Sequence, residues 1–205
     1  LDTLSFLALG DSYTIGEKVE PRLRWPVQLA RRLREEGLPV EDPVVVARTG
    51  WTTGELEVAL EASPPGGPFD LVSLLIGVND QYRGREVGEY RRQFSALLFR
   101  AVSLAGGDPG RVVVLSIPDW GVMPFAEGRV REDIGREIDA FNHENRDESS
   151  VQGVHYVDVT RISREAGADP NQVAEDGLHP GGAQYGRWAE EVVPTARWIL
   201  RGAGR

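Results

Sequence analysis

A serine closes the first apolar run of the chain, and an aspartate and a histidine three residues apart stand near its other end. The serine is Ser12, in Gly10-Asp11-Ser12-Tyr13; the pair is Asp176 and His179, in Asp176-Gly177-Leu178-His179-Pro180. Acyl transfer needs a hydroxyl nucleophile, a base to take its proton, and donors for the oxyanion that develops. Ser12 qualifies as the nucleophile, and His179 is the best placed of the three histidines to be the base. Gly177 and Pro180 favour a turn that carries the Asp176 carboxylate to the imidazole Nδ1, where it fixes the tautomer and stabilises the imidazolium. The backbone N–H groups of Ser12 and Gly50 and the side-chain amide of Asn79 are candidate oxyanion donors. Gly50 has no side chain to block close approach.

These residues need elements to bring them together. Short β-branched runs alternate with longer amphipathic stretches, which signals an α/β fold with a parallel sheet. Strands are expected near 4–10, 44–47, 71–76, 112–117 and 154–159. Helices are expected near 25–36, 53–62, 86–105, 131–147 and 181–200, with Pro194 kinking the last. Pro26 suits the first turn of its helix, and Thr52 with Glu55 has capping-box spacing. The strands read as near-continuous apolar runs, as in a sheet covered on both faces. Right-handed crossovers then favour a three-layer α/β/α sandwich with a five-stranded parallel sheet, in the flavodoxin-like order 2-1-3-4-5. In such a sheet the ligand site lies beyond the carboxyl ends of the strands. Ser12, Gly50, Asn79, the loop 118–130, and Asp176 with His179 all follow strand ends, so all are expected at one edge.

Four blocks in this order, Gly10-Asp11-Ser12, Gly50, Gly77-Val78-Asn79-Asp80 and Asp176-Gly177-Leu178-His179-Pro180, resemble those of the SGNH hydrolases, the GDSL esterase/lipase family. The resemblance runs from residue 4 to about residue 200. It implies the same sandwich, with Ser12 as nucleophile, His179 as base, Asp176 as its partner, and Ser12, Gly50 and Asn79 as the oxyanion hole. Tyr13 stands where the family name has leucine, and Val45-Val46-Ala47-Arg48 departs from the usual approach to the second block. The ordinary α/β-hydrolases share the order Ser, Asp, His, but their G-x-S-x-G lies well inside the chain, unlike Gly10-Asp11-Ser12.

The activity expected is hydrolysis of a carboxylic ester through an acyl-enzyme, by an esterase or lipase, with lysophospholipase and carbohydrate deacetylase among the candidates. The same residues would serve an acyltransferase or a thioesterase; a non-catalytic carbohydrate- or lipid-binding module is the alternative from another class. Trp51, Tyr82, Trp120, Met123 and Phe125 are candidate substrate-pocket residues, because pockets are lined by apolar and aromatic groups. Asp11 and Asp80 read as structural. His143 reads as a solvated helix residue and His155 as a surface residue, and two isolated histidines do not make a metal site. The chemistry calls for no metal and no cofactor.

Composition narrows the rest. The 205 residues are expected to form one domain, 1–205. A net charge of -9 argues against nucleic acid as a partner, and the expected partner is a small-molecule ester. The oligomeric state is left open. The absence of cysteine excludes disulfides, zinc-thiolate sites and a cysteine nucleophile. No apolar run reaches the roughly 18 residues of a membrane span. The chain opens at Leu1 almost directly on a strand and shows no signal segment. A soluble protein is expected, cytoplasmic or exported after loss of a leader.

Overall fold

The apolar runs pair side by side. In the computed structural model, which describes residues 3–167 and 169–202, β1 (Phe6–Gly10), β2 (Val44–Ala47), β3 (Leu71–Leu75), β4 (Val112–Leu115) and β5 (His155–Val157) form one sheet. Its order is β2-β1-β3-β4-β5 and every pairing is parallel. The expected order is therefore the one observed, with β1 and β3 adjacent. Gly10 pairs with both Ala47 and Leu75, so the first three strands end level. β1, β3 and β4 are buried throughout, as runs without polar alternation should be when helices cover both faces. The edge strand β2 departs from that expectation: its residues are only partly covered and Val44 is exposed.

The helices form the outer layers. α2 (Trp25–Glu35) buries Trp25, Leu29, Ala30 and Leu33 and packs on α8 (Gly182–Leu200). Gln28 ties the two together by donating from Nε2 to the carbonyls of Leu23 (2.7 Å) and Gly182 (2.9 Å). α3 (Thr53–Ala62), α5 (Val87–Leu104) and α6 (Arg131–Gln152) pack in sequence, α3 on α5 and α5 on α6. Thr52 and Glu55 cap α3 reciprocally, as their spacing predicts. α8 runs through Pro194 without a break, and α6 extends five residues beyond its expected end.

Three helices have no counterpart among the expected ones: α1 (Ser12–Ile15), α4 (Val78–Tyr82) and α7 (Thr160–Ala166). They are too short to show a helical period in the sequence. α1 starts because the Asp11 carboxylate accepts the Tyr13 N–H at 2.9 Å. α7 starts where Ser116 Oγ accepts the N–H groups of Val159 (2.8 Å) and Thr160 (2.9 Å). In α6, Asn142 and Asn145 are buried rather than solvated. Asn142 bonds both polar atoms of the Ile117 backbone, and Asn145 Oδ1 accepts from the Tyr90 hydroxyl. His143, between them, is exposed beside Asp147. His155 is half-buried with its ring edge-on to Trp198, not a free surface residue.

Candidate active site

The carboxyl ends of β1, β2 and β3 lead directly into the candidate residues. Gly10 ends β1 against Thr14 and the Leu75 carbonyl; a Cβ there would lie 2.2 Å from Thr14 Oγ1 and 2.5 Å from Leu75 O. Only glycine lets the chain turn so closely from β1 into α1. Ser12 is the first residue of α1, so its N–H has no helical carbonyl to bind. Gly50 lies in the turn after β2 with φ +87°. Its nearest neighbour for a Cβ is Arg83, at 4.0 Å, so the left-handed backbone rather than space is what requires glycine. Arg83 holds that turn, with Nη2 donating to Gly50 O at 2.7 Å and Nη1 3.3 Å from Glu55. Asn79 follows β3 at the start of α4 and donates from Nδ2 to the Trp51 carbonyl at 2.9 Å. An amide nitrogen has two hydrogens, so one remains free. The N–H groups of Ser12 and Gly50 also donate to no backbone carbonyl among the described residues.

Asp176 and His179 lie in the loop between α7 and α8. His179 Nδ1 is 2.6 Å from Asp176 Oδ2, while Asp176 Oδ1 accepts the backbone N–H groups of Leu178 and His179, each at 3.0 Å. Burial alone would raise the Asp176 pKa; the hydrogen bonds from the His179 ring and from these two N–H groups outweigh it and hold the carboxyl below its usual range. The imidazole is itself buried, with Tyr13 edge-on at 5.9 Å. Phe125 N–H donates to Gly177 O at 2.9 Å, clipping this loop to the apolar loop that follows β4.

Ser12, Gly50, Asn79 and His179 all line one cavity of about 230 Å³, together with Tyr13, Val78 and Leu178. Of the five candidate pocket residues, Tyr82, Trp120 and Phe125 line it too. Trp51 and Met123 do not: Trp51 packs partly buried against the core, and Met123 is buried beneath its loop. Trp120 is fixed by a relay, its Nε1 donating to Gln81 Oε1 (2.8 Å) while Gln81 Nε2 donates to Glu137 (2.6 Å). Neither Gln81 nor Arg83 is singled out by the sequence. Their only signal is position, two and four residues after Asn79 on or beside a helix too short to recognise.

Two buried carboxyls adjoin the candidate residues in the chain, Asp11 before Ser12 and Asp80 after Asn79. Asp80 accepts the Thr53 N–H and hydroxyl, each at 3.0 Å, and lies 3.3 Å from Arg85. Asp11 has Oδ1 on the Tyr13 N–H and no partner for Oδ2. Burial, only partly offset by the Tyr13 N–H, pushes its carboxyl from 3.8 up to about 8. Among the described residues no cluster of three metal-ligating side chains occurs, and no helix is long and apolar enough to cross a membrane.

A sequence model of the GDSL-like lipase/acylhydrolase family matches residues 8–187. No curated protein matches the chain in sequence. Among solved structures, TesA superposes with a TM-score of 0.74 at 22% identity, over 97% of this chain and 99% of its own. A mutant of Axe2, an acetyl-xylooligosaccharide esterase from Geobacillus Stearmophilus, gives 0.73 at 19% identity over 94% of each chain. The psychrotrophic esterase EstA from Pseudoalteromonas sp., inhibited by monoethylphosphonate, gives 0.69 at 18% identity over 97% of this chain and 99% of its own. At these identities the likeness is one of fold.

Proposed function

Since the chain belongs to the GDSL-like lipase/acylhydrolase family, we propose that it hydrolyses small carboxylic esters by an acyl-enzyme route with Ser12 as nucleophile. One observation carries the reading: the imidazole of His179, which lines the same cavity as Ser12, has its Nδ1 on the Asp176 carboxylate at 2.6 Å. That bond leaves Nε2 as the proton acceptor and stabilises the imidazolium once it forms. Ser12 Oγ attacks the ester carbonyl and His179 takes its proton. The oxyanion receives the N–H groups of Ser12 and Gly50 and the free hydrogen of Asn79 Nδ2. His179 then protonates the leaving alcohol, and a water, deprotonated by the same imidazole, releases the acid and restores Ser12.

The small cavity, walled by Tyr82, Trp120 and Phe125, favours short acyl groups over long chains, since sites for larger ligands run to several hundred Å³. A fluorophosphonate tests the nucleophile, and the phosphonate inhibition of the related fold EstA makes it an apt reagent. It should form one adduct, at Ser12, and Ser12→Ala should fold normally yet lose roughly 10³-fold or more in kcat. Labelling elsewhere, or full activity in Ser12→Ala, removes Ser12 from this role. A p-nitrophenyl ester ladder from acetyl to dodecanoyl should give the highest kcat/KM at its short end; a maximum at dodecanoyl would overturn the size argument.

A further inference from the structure

We propose that Arg129 makes this cavity selective for esters that carry a separate anionic group, a carboxylate being the simplest case; the inference rests on the hydrolase reading above. The guanidinium carbon of Arg129 sits 5.5 Å from the ring centre of Tyr82, 5.3 Å from that of Trp120 and 5.6 Å from that of Phe125. All three rings line the catalytic cavity. They also meet one another edge-on, Tyr82 to Trp120 at 5.5 Å and Trp120 to Phe125 at 6.1 Å. The Gln81–Glu137 relay holds Trp120, the central ring of the three against which the guanidinium is set.

A guanidinium seated on aromatic rings keeps its N–H donors free in its own plane. Here one donor, at Nη2, reaches the Tyr82 hydroxyl at 3.3 Å. Arg129 forms no ion pair with a carboxylate among the described residues, whereas two arginines just after α4 do: Arg83 pairs with Glu55, and Arg85 with Asp80 and Glu89. The side chain is exposed, so its remaining donors are accessible to a ligand. The result is a pre-positioned cation beside a largely apolar cavity, in a chain whose net charge of -9 otherwise works against anions. A planar fork of this kind binds a carboxylate through two N–H groups. The anion can come from either side of the ester, and the chemistry at Arg129 is the same for both.

Two matched pairs of esters separate those sources. Mono-p-nitrophenyl glutarate against p-nitrophenyl pentanoate places the charge on the acyl side; 4-acetoxybenzoate against phenyl acetate places it on the alcohol side. The measured quantity is the anionic-to-neutral ratio of kcat/KM, with fluorophosphonate labelling of Ser12 run on every variant. Arg129→Met, which keeps much of the aliphatic stem, should lower that ratio about tenfold or more in at least one pair, chiefly through KM. Arg129→Lys should restore part of it, and about 0.5 M NaCl should shrink the wild-type ratio. A ratio unchanged within about twofold in both pairs, with Ser12 still labelled, overturns the role of Arg129 and leaves the hydrolase reading standing. Loss of both labelling and turnover in the wild-type protein overturns both.

Discussion

Asp11→Asn should remove a pH dependence of stability that the wild-type protein carries. The Asp11 carboxyl is fully buried, its Oδ2 has no partner, and burial pushes its pKa from 3.8 up to about 8. Below about pH 4 the group is protonated in both folded and unfolded chains and has no effect on the balance. Between about pH 4 and pH 8 the folded chain holds a proton that the unfolded chain has lost. Stability therefore falls as pH rises, by about 1.4 kcal/mol per pH unit, and the loss levels off above pH 8. From pH 6 to pH 9 the wild-type protein should lose about 2–3 kcal/mol through this one group. The raised pKa of Asp80 acts in the same direction, through burial opposed by the Thr53 and Arg85 contacts, but it is present in both proteins and largely cancels in the comparison. Asparagine keeps the shape, and its Oδ1 can still accept the Tyr13 N–H. Urea unfolding, followed by tryptophan fluorescence at each pH from 6 to 9, reads the difference. The Asp11→Asn variant should gain on the wild type as pH rises to about 8 and then keep that advantage. Parallel stability curves would refute the reasoning, because they would mean that Asp11 is already ionised in the folded protein or that water reaches it. Asp11→Ala separates the two roles of the side chain: losing the cap on α1 adds a cost of about 1 kcal/mol that does not vary with pH.

Asn79→Ala should lower kcat about 10²–10³-fold with little change in KM, if its amide serves the oxyanion; a loss below about tenfold in steady-state kinetics would remove it from the hole. Asp176→Asn should lower kcat by about two or more orders of magnitude, since the amide can settle the imidazole in the wrong tautomer, and unchanged turnover would detach the pair from the reaction. Gly10→Ala should fail to fold or lose activity outright, because its Cβ meets a backbone carbonyl at 2.5 Å; an active, stable variant measured by circular dichroism and turnover would show that β1 and β3 can separate there.

The sheet order and the strand-end positions of Ser12, Gly50 and Asn79 are legible in the sequence because apolar runs and strand-to-helix alternation are signals that survive without tertiary context; Asp176 and His179, expected directly after the fifth strand, follow α7 instead, a helix too short to show in the sequence. Leu71–Leu75 is such a run: all five residues are buried, and it reads the same way in the sequence and in the fold. Loops carry no period that says which way a side chain turns. Trp120 and Phe125 reach the cavity, yet Met123 between them is buried away from it. Asn142 and Asn145 escape for a different reason. Polar residues on an amphipathic helix read as solvated until the Ile117 backbone and the Tyr90 hydroxyl they serve are in place. Arg129 gives no signal at all, since its position depends on three rings that come from two separate segments.

The helices hidden from the sequence include those that carry the candidate site. α1 supplies Ser12 and α4 supplies Asn79, and neither has the length to be stable by itself. Side chains bonded to backbone hold them and the Gly50 turn in place: Asp11 on the Tyr13 N–H, Asp80 on the Thr53 N–H, and Arg83 on the Gly50 carbonyl. Most of the apolar core comes from the sheet and the long helices, with only Tyr13 and Val78 contributed by α1 and α4. Substitutions at the contacts should disturb the proposed oxyanion donors before they unfold the sheet. Arg83→Met makes the separation measurable. Because Arg83 and its Glu55 partner are both about half-exposed, the change should cost about 1 kcal/mol or less in urea unfolding. The Gly50 N–H would lose its fixed aim, and kcat should fall about tenfold or more with KM nearly unchanged. Equal losses in stability and turnover would mean that Arg83 supports the fold at large and not the turn that presents Gly50.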